Sequence, residues 1–501
     1  MKLPRSQQRI ILALAVLLVG VGLWLRVMMI TPPFGVVNSD EAIAGLMARG
    51  IRDGHLTTFY WGQNYGGAFE AYVLAILGWV IPEGIAFFLL PFIESLIAAF
   101  LLFLIAKQRL DKNLSMLIAS LMLAFPALAV WNNARPMLFY QSTVIFGLTA
   151  IWLVDQTSKN QSPASPHNSY WFYLGLVCGL GWWATTQSLF FLIPIIAVLS
   201  IRQPRPSTRQ IALATGSFAV AILPWLYTNI RTGFASVFDG PPRDGSVAHH
   251  LEAQIKVGWS TVFGLRRPFD GQWLNPVLAF VFVLILVGLA IVFVPRAVKS
   301  RQNPNAMLLV IPSFVVLQAF APTGSFIGSG RYYIFVVPSV LFVLGLFLAF
   351  LLRTTRRLGI VAVSIIILTA LSSTLLSVHA VRDYQFGPTH LDDVAVALRE
   401  SEVSSVYGDY WVVYALAWED PTLVVSPTTT DRRPDWSHQV RNDHSTAYVF
   451  WTEYGVDLAN LEITRTALGQ RTSFEEIQVG SYVLLLPVLN IPPEKLILPD
   501  N

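Results

Sequence analysis

The sequence predicts a polytopic α-helical membrane protein with a small extracytoplasmic α/β domain at its C-terminal end. Of its 501 residues, 54% are hydrophobic and only 13% are charged, whereas soluble globular chains carry about 25% charged residues. Apolar runs long enough to cross a bilayer alternate with basic segments up to residue 380, and the composition changes beyond it. We therefore predict a transmembrane domain, 1–380, and an extracytoplasmic domain, 381–501.

Apolar runs bounded by charged residues, Pro or Gly predict about eleven transmembrane helices. The first run follows a short basic N-terminus without a small-residue cleavage pattern, which predicts a retained helix. The fifth and sixth runs are short, so one kinked or re-entrant element is an alternative to two helices. The predicted helices lie near 10–30, 84–106, 114–130, 138–154, 170–184, 187–201, 210–228, 274–294, 306–321, 334–352 and 358–379.

The distribution of Lys and Arg predicts the orientation of these helices. Basic residues concentrate in alternate connections, such as 107–112 and 202–209, which the positive-inside rule places in the cytoplasm. The net charge of +4 therefore reflects membrane topology. The sequence has no glycine-rich phosphate loop and no basic-aromatic face, so it does not indicate binding to nucleic acid. The segments predicted to lie outside are the first loop (31–83), the loops 131–136, 229–273 and 321–333, and the C-terminal domain.

The first loop is predicted to contain two helices that lie on the membrane surface. Asn38 and Glu41 have the spacing of a capping box, apolar residues follow at helical intervals, and Gly54 ends the helix. A second amphipathic helix is predicted to begin after Gly67 and to end at Pro82. The aromatic residues between the two helices are typical of a membrane interface.

Three carboxylates of this loop are candidate catalytic residues, namely Asp40, Glu41 and Glu70. Placing an ionisable group close to a bilayer costs free energy unless the group is solvated or paired, so carboxylates found there indicate a functional role. Acids in the first turn of a helix also complement its dipole, and this structural role is an alternative for Asp40 and Glu41. Glu70 follows two glycines, which permit close approach of a ligand. Such a carboxylate can deprotonate a hydroxyl nucleophile as a general base.

Cationic side chains occur in two later loops that are predicted to lie on the same side of the membrane. Arg135 follows a short aromatic and amide-rich loop, and Arg331 precedes Tyr332. Arginine binds phosphate with two parallel hydrogen bonds, so these residues are candidates for a phosphate site. The alternative is an interfacial arginine that reaches lipid phosphate. The candidate cavity-lining residues of the first loop are Trp61, Gln63 and Tyr65.

The loop 229–273 contains a possible metal site. His249 and His250 lie near Asp239, Asp244 and Glu252. Their spacing matches no strong template for a metal centre, so no metal ligand is assigned.

Short strands and helices alternate in the C-terminal domain and predict a small α/β fold. The tripeptide Asp409-Tyr410-Trp411 has two interpretations, a sugar-binding cleft that uses aromatic stacking or a place in the domain core. The predicted helices are 391–400, 411–418 and 457–468, and the predicted strands are 405–408, 422–426, 447–452 and 482–487.

The first loop resembles that of the GT-C glycosyltransferases, in particular the bacterial relatives of the protein O-mannosyltransferases and lipid A aminoarabinose transferases. The resemblance rests on "NSDEAIAGLMARGIRDGH" and the following "FYWGQNYGGAFEAYV". It extends over most of 1–380 and leaves the C-terminal domain unmatched. The supporting segments are "NNAR", "GLGWWATTQ", "LPWLYTN" and "GSGRYYIFVVP".

The resemblance implies a GT-C fold with a cavity open both to lipid and to the outside of the membrane. The family branch implies a bacterial cytoplasmic membrane, and an endoplasmic reticulum membrane would give the same topology. A sugar, hexose or pentose, would pass from a polyprenyl-monophosphate donor to a lipid, glycan or protein hydroxyl, with inversion. By this resemblance Asp40 is the base beside Glu41, and Glu70 orients the acceptor or donor. Arg135 and Arg331, with Tyr332, hold the phosphate that leaves. A divalent metal is left open.

Two other functions compete with transferase activity. A transporter or flippase of a lipid-linked saccharide is expected to carry ionisable residues at mid-membrane and paired repeats with broken helices. The predicted spans are nearly free of charge, which favours the enzyme. A non-catalytic scaffold whose C-terminal domain binds glycans is the third hypothesis, and it predicts that Asp40→Asn leaves function intact.

Overall fold

The computed structural model describes residues 4–159, 168–202, 205–240, 242–263, 265–266, 273–299, 305–322, 331–354, 356–380, 382 and 387–497. The chain forms two compact units, each built from several segments. The first unit consists of Met1–Ile30, Tyr65–Glu70 and Phe88–Asp383, and the second of Thr31–Asn64, Ala71–Phe87 and Tyr384–Asn501. Most of the first loop therefore belongs to the same compact unit as the C-terminal segment.

Eighteen α-helices lie in the described residues up to Ala380. Short 3-10 helices at Thr186–Ser188 and Arg331–Phe335 and a π-helix at Gln254–Gly258 accompany them. The helices are α1 (Arg5–Met29), α2 (Ser39–Arg52), α3 (Phe69–Leu77), α4 (Glu83–Ala106), α5 (Lys112–Ala124), α6 (Ala127–Asn133), α7 (Tyr140–Lys159), α8 (Asn168–Ala184), α9 (Leu189–Ile201), α10 (Thr208–Ala221), α11 (Leu223–Arg231), α12 (Ala235–Phe238), α13 (Val247–Ala253), α14 (Trp259–Val262), α15 (Pro276–Lys299), α16 (Ala306–Phe320), α17 (Val337–Thr354) and α18 (Arg356–Ala380).

All eleven predicted apolar runs are helical, and two of them are broken. Phe125 and Pro126 separate α5 from α6, because proline supplies no N–H to continue a helix. A bend of 56° separates α10 from α11. The fifth and sixth runs form two helices, α8 and α9, joined by the 3-10 turn.

The described helices make the chain an integral membrane protein. By length and composition, four of them are able to cross a bilayer, and the bent pair α10–α11 supplies a fifth. Four shorter apolar helices accompany them, so the total of eleven spans stays a prediction. The four helices long enough to cross the bilayer are Arg5–Met29, Glu83–Ala106, Val337–Thr354 and Gly359–Ala380.

A buried arginine supports the break between α5 and α6 in the first unit. Arg26, only 3% exposed, donates hydrogen bonds to the carbonyl of Gly22 at 3.0 Å and to that of Leu123 at 2.7 Å. The carbonyls of the last turn of a helix lack partners within it, and this guanidinium satisfies one of them. Arg26 thus departs from the expectation that the spans carry almost no charge.

The second unit contains a five-stranded sheet in the order β2-β1-β3-β5-β4. Strands β2, β1 and β3 are parallel, whereas β5 is antiparallel to both β3 and β4. The strands are β1 (Ser405–Gly408), β2 (Val424–Pro427), β3 (Thr446–Trp451), β4 (Phe474–Val479) and β5 (Tyr482–Pro487). The helices are α19 (Leu391–Glu400), α20 (Tyr410–Glu419), α21 (Pro434–Asn442), α22 (Gly455–Gly469) and α23 (Pro493–Ile497).

Helix α2 of the first loop packs on α20 of the C-terminal segment, within the second unit. Gly45 makes this possible, because a Cβ there would lie 2.3 Å from the Trp418 ring. Arg49 stacks on the same ring at 4.1 Å and forms an ion pair with Glu83 at 2.7 Å. Arg52 pairs with Glu83 as well. The two arginines therefore join α2 to the start of α4.

Three local predictions differ from the structure. Helix α3 ends at Leu77 and a turn follows, so Pro82 is not its end. Helix α21 was not predicted, and neither was strand β4, which lies at the edge of the sheet. The sequence of β4, FEEIQV, contains two adjacent glutamates and no fully buried residue, so its hydrophobic signal is weak.

Candidate active site

Asp40 lies in the first turn of α2 and contacts the C-terminal segment. The Tyr410 hydroxyl donates a hydrogen bond to Asp40 Oδ1 at 2.5 Å. The Tyr60 hydroxyl donates to the main-chain carbonyl of Asp40 at 3.0 Å. Among the described residues, Tyr410 is the only hydrogen-bond donor to the Asp40 side chain. The second carboxylate oxygen is therefore left for another group.

A guanidinium lies beside the two tyrosines. Arg432 stacks over the rings of Tyr60 and Tyr410, with its central carbon 5.5 Å from each ring centre. Burial, together with the Asp40 charge, raises the pKa of the Tyr410 hydroxyl well above its usual range. Burial and Asp40 raise the pKa of Tyr60 in the same direction. Both hydroxyls therefore stay protonated at neutral pH and act as donors.

Glu41 completes the predicted capping box. Its Oε2 accepts a hydrogen bond from the Asn38 N–H at 3.3 Å, and Asn38 Oδ1 accepts one from the Glu41 N–H at 3.1 Å. Glu41 is 1% exposed. Its carboxylate therefore accepts a hydrogen bond from a main-chain N–H at the start of α2, and this capping stabilises the helix that contains Asp40.

Trp61 and Gln63 contact arginines of the C-terminal segment. Arg433 lies over the rings of both Trp61 and Trp436, at 4.2 Å and 4.7 Å. With its amide oxygen facing Arg432, Gln63 accepts hydrogen bonds from that guanidinium at 2.8 Å and 3.2 Å. These first-loop residues thus fix the segment that follows β2.

Glu70 lies in the first turn of α3 and is buried against the start of α7, within the first unit. Its carboxylate accepts hydrogen bonds from the N–H of Phe139 and, at 3.1 Å, from that of Ser142. Burial raises the pKa of Glu70 from 4.5 to about 7, although these N–H groups lower it. Gly67, three residues before Glu70, lies against the end of α8, since its N–H donates a hydrogen bond to the Ala184 carbonyl at 2.7 Å. Tyr65, one of the predicted cavity-lining residues, is 49% exposed.

A second buried carboxylate, Glu94, lies in α4 and was not predicted. It is 8% exposed, and its charge and that of Glu70 act on each other. The acid is visible within the apolar sequence "PFIESLIAAF". Glu94 therefore corrects, as Arg26 does, the expectation of nearly charge-free spans.

We expect Glu70→Gln to reduce the pH dependence of stability. Between about pH 4.5 and about pH 7 the folded state keeps a proton that the unfolded state has released, so stability falls as the pH rises through this interval. Glutamine retains an acceptor oxygen without the ionisation. The thermal unfolding temperature of Glu70→Gln in detergent should therefore fall less than that of the wild type between about pH 5 and about pH 8.

The matched control for this measurement is Glu400→Gln, which changes an exposed acid at the end of α19. Its unfolding temperature should follow the wild-type curve. Parallel curves for all three proteins would exclude Glu70 as the titrating group.

Arg135 and Arg331 belong to adjoining elements of the first unit. Arg135 follows α6, is 3% exposed, and stacks on Trp131 at 4.8 Å. Arg331 begins the 3-10 helix and lies over the Tyr332 ring at 5.4 Å. This 3-10 helix packs against both α6 and α7. Much of the loop before Arg331, 323–330, lies outside the described residues.

An apolar groove lies among α5, α15, α17 and α18 of the first unit. Of the residues that the structure describes, fifteen side chains line it, and Thr369 and Ser373 are the polar ones among these. The groove therefore suits an aliphatic chain.

The histidine pair of loop 229–273 does not form a metal site in the described structure. His250 is fully buried, with one ring nitrogen 3.0 Å from the Ala319 carbonyl and the other 2.7 Å from Asp244 Oδ1. Both ring nitrogens are thus used within the protein. Among the described residues, the one group with metal-ligand spacing is the exposed set His390, Asp392 and Asp393.

Comparison with known proteins gives structural matches only. No protein-family model and no curated protein sequence matches the chain. The structure of ArnT from Cupriavidus metallidurans in the apo state matches with a TM-score of 0.63 and 12% identity, over 97% of this chain and 99% of that one. ArnT bound to undecaprenyl phosphate matches with a TM-score of 0.62 at the same identity and coverage.

An archaeal protein gives a similar result. AglB, an oligosaccharyltransferase from Archaeoglobus fulgidus in complex with an inhibitory peptide and a dolichol-phosphate, matches with a TM-score of 0.58 and 13% identity. The match covers 99% of this chain and 76% of AglB. Both neighbours are GT-C glycosyltransferases. The chain therefore shares the overall fold of these two proteins, as the sequence predicts, and the total of eleven spans stays a prediction.

Proposed function

We propose that this protein is an inverting membrane glycosyltransferase that moves a sugar from a polyprenyl-monophosphate donor to an acceptor hydroxyl on the extracytoplasmic face. The observation that carries the proposal is the Asp40 carboxylate. One of its oxygens accepts the Tyr410 hydroxyl at 2.5 Å, and the other has no hydrogen-bond donor among the described residues. A fixed carboxylate with an available oxygen is suited to take the proton of an acceptor hydroxyl.

Three findings support a lipid-phosphate donor. One structural neighbour was solved with undecaprenyl phosphate and another with a dolichol-phosphate. The apolar groove of the first unit suits a polyprenyl chain. Arg135 and Arg331 are the cations proposed to hold the phosphate, with Tyr332 beside Arg331. Positive charge there stabilises the phosphate as it leaves, and so lowers the barrier to transfer.

The chemistry is a single displacement. The acceptor oxygen attacks the anomeric carbon, its proton passes to Asp40, and the bond from that carbon to the phosphate oxygen breaks. One displacement inverts the anomeric configuration. Glu70, which binds the start of α7, acts in this scheme by holding the element that packs against the Arg331 helix.

Reconstitution in proteoliposomes tests the proposal. Purified protein receives polyprenyl-phosphate sugars carrying either a hexose or an aminopentose, with lipid, glycan and peptide acceptors. We expect transfer from at least one polyprenyl-phosphate donor, no transfer from the corresponding nucleotide sugar, and an inverted anomeric linkage by NMR.

The alternative transporter gives a different result in the same vesicles. It moves the labelled lipid-linked sugar across the bilayer and forms no glycosylated product. Translocation without turnover, for every donor and acceptor, would replace the transferase proposal.

A further inference from the structure

We infer that Tyr410, supplied by the C-terminal segment, is a positioning residue for the Asp40 carboxylate, so that the catalytic base is complete only when α2 and α20 are packed together. The inference rests on the proposed function, since it assigns Tyr410 a role towards the general base of that function, Asp40. It also gives the C-terminal segment a part in the reaction, which neither the sequence nor the fold comparison assigns.

The position of Tyr410 is fixed by the fold of the second unit. Strand β1 ends at Gly408, and Asp409 then caps α20 by accepting the Trp411 N–H at 2.8 Å. Tyr410 is therefore the first residue of α20 and only 7% exposed. Its ring is enclosed by Arg432 and by an edge contact with Tyr414 at 5.6 Å. A side chain held in this way loses little entropy when it binds a carboxylate.

The packing of α2 on α20 brings the two groups together. Gly45 and Trp418 interlock one side of this contact, and Arg49 donates to the Trp418 carbonyl at 3.0 Å. Tyr410 and Asp40, 370 residues apart in the chain, then meet at 2.5 Å. A hydrogen bond of this length to an ionised acceptor is among the stronger ones in proteins.

The hydrogen bond has a geometric consequence for a base. It selects one rotamer of Asp40, so that the second oxygen points in a fixed direction. The charged and titratable groups placed around Asp40 are Tyr410 and Arg432 from the C-terminal segment, and Tyr60 and Glu41 from the first loop. Of these, Tyr410 alone donates to the carboxylate in the described residues.

Tyr410→Phe tests the inference in the reconstituted transferase. We expect kcat to fall about 10- to 100-fold, the range for loss of a hydrogen bond to a charged group. The KM for the donor should stay within about twofold, since Tyr410 is not assigned to the donor phosphate. A merely structural role would lower kcat and the unfolding temperature together, whereas loss of positioning lowers kcat and leaves the unfolding temperature and the donor KM near those of the wild type.

Tyr407→Phe is the matched control. It removes a buried hydroxyl from strand β1 of the same sheet, and that hydroxyl does not donate to Asp40. We expect wild-type kcat and KM for this variant. Equal unfolding temperatures for the two variants exclude a folding defect as the cause of the loss in Tyr410→Phe.

The outcomes separate the two proposals. If the wild type transfers sugar and Asp40→Asn does not, but Tyr410→Phe matches Tyr407→Phe, the positioning role is wrong and the transferase stands. If the wild type transfers no sugar from any polyprenyl-phosphate donor, the proposed function fails. In that case the inference falls with it.

Discussion

Asp40→Asn is expected to reduce kcat by about 10² to 10⁴ with little change in fold stability. This range is what a positioned general base contributes to proton transfer. Asparagine has the shape of aspartate, and its amide oxygen can still accept the Tyr410 hydroxyl. The variant thus loses the ability to take a proton and retains the contact between α2 and α20. The measurement is single-turnover sugar transfer in proteoliposomes, together with the unfolding temperature.

Asp53→Asn is the control for this substitution. Asp53 follows α2 in the same loop, is exposed, and contributes its main-chain N–H to the helix end. We expect wild-type turnover from it. Equal activity of Asp40→Asn and Asp53→Asn would remove Asp40 from the chemistry, and it would favour the scaffold hypothesis, which predicts that outcome.

The KM for the donor separates catalysis from binding. A base acts on the acceptor in the transition state, so its loss lowers kcat and leaves the donor KM nearly unchanged. A large rise in donor KM with a normal kcat would instead place Asp40 in donor binding.

Local features of the fold were predictable from the sequence, because they depend on residues close together in the chain. The capping box of α2 follows from two polar residues three positions apart, and the structure has both of its hydrogen bonds. All eleven apolar runs proved helical for the same reason. Strand β5 was predicted with the bounds it has, 482–487.

The contacts that organise the candidate site were not predictable, because they join distant parts of the chain. Tyr410 lies in a short helix with no polar pattern that points to Asp40, and only the packing of Gly45 on Trp418 brings the two together. Glu70 is predicted to orient the acceptor or donor, and this role stays a prediction; what the sequence does not reveal is that its carboxylate accepts hydrogen bonds from two N–H groups at the start of α7. The sequence around a single carboxylate does not reveal which distant N–H groups will donate hydrogen bonds to it.

Arg331→Gln is expected to lower kcat/KM for the polyprenyl-phosphate donor by about 10² to 10³. That is the loss seen when one fixed group that stabilises developing negative charge is removed. Arg331 begins the 3-10 helix that packs on α6 and α7, and its guanidinium lies over Tyr332. The product, polyprenyl phosphate, carries the full charge of the leaving group. Its inhibition constant should therefore rise together with the loss of turnover.

Arg353→Gln provides the control, since it neutralises a different arginine, in the last turn of α17. We expect its kcat/KM and product inhibition to equal those of the wild type. An Arg331→Gln enzyme with normal product inhibition would show that the guanidinium does not bind the phosphate.

A double-mutant cycle with Arg135→Gln then asks whether the two arginines share one phosphate. Their elements adjoin, because α6, which precedes Arg135, packs on the 3-10 helix that Arg331 begins. Two groups that bind the same anion are coupled, so the double variant should lose less than the sum of the two single losses. Fully additive losses would mean that the arginines act separately. Arg135, buried against Trp131, would then be assigned to the packing of α6, and Arg331 alone to the phosphate.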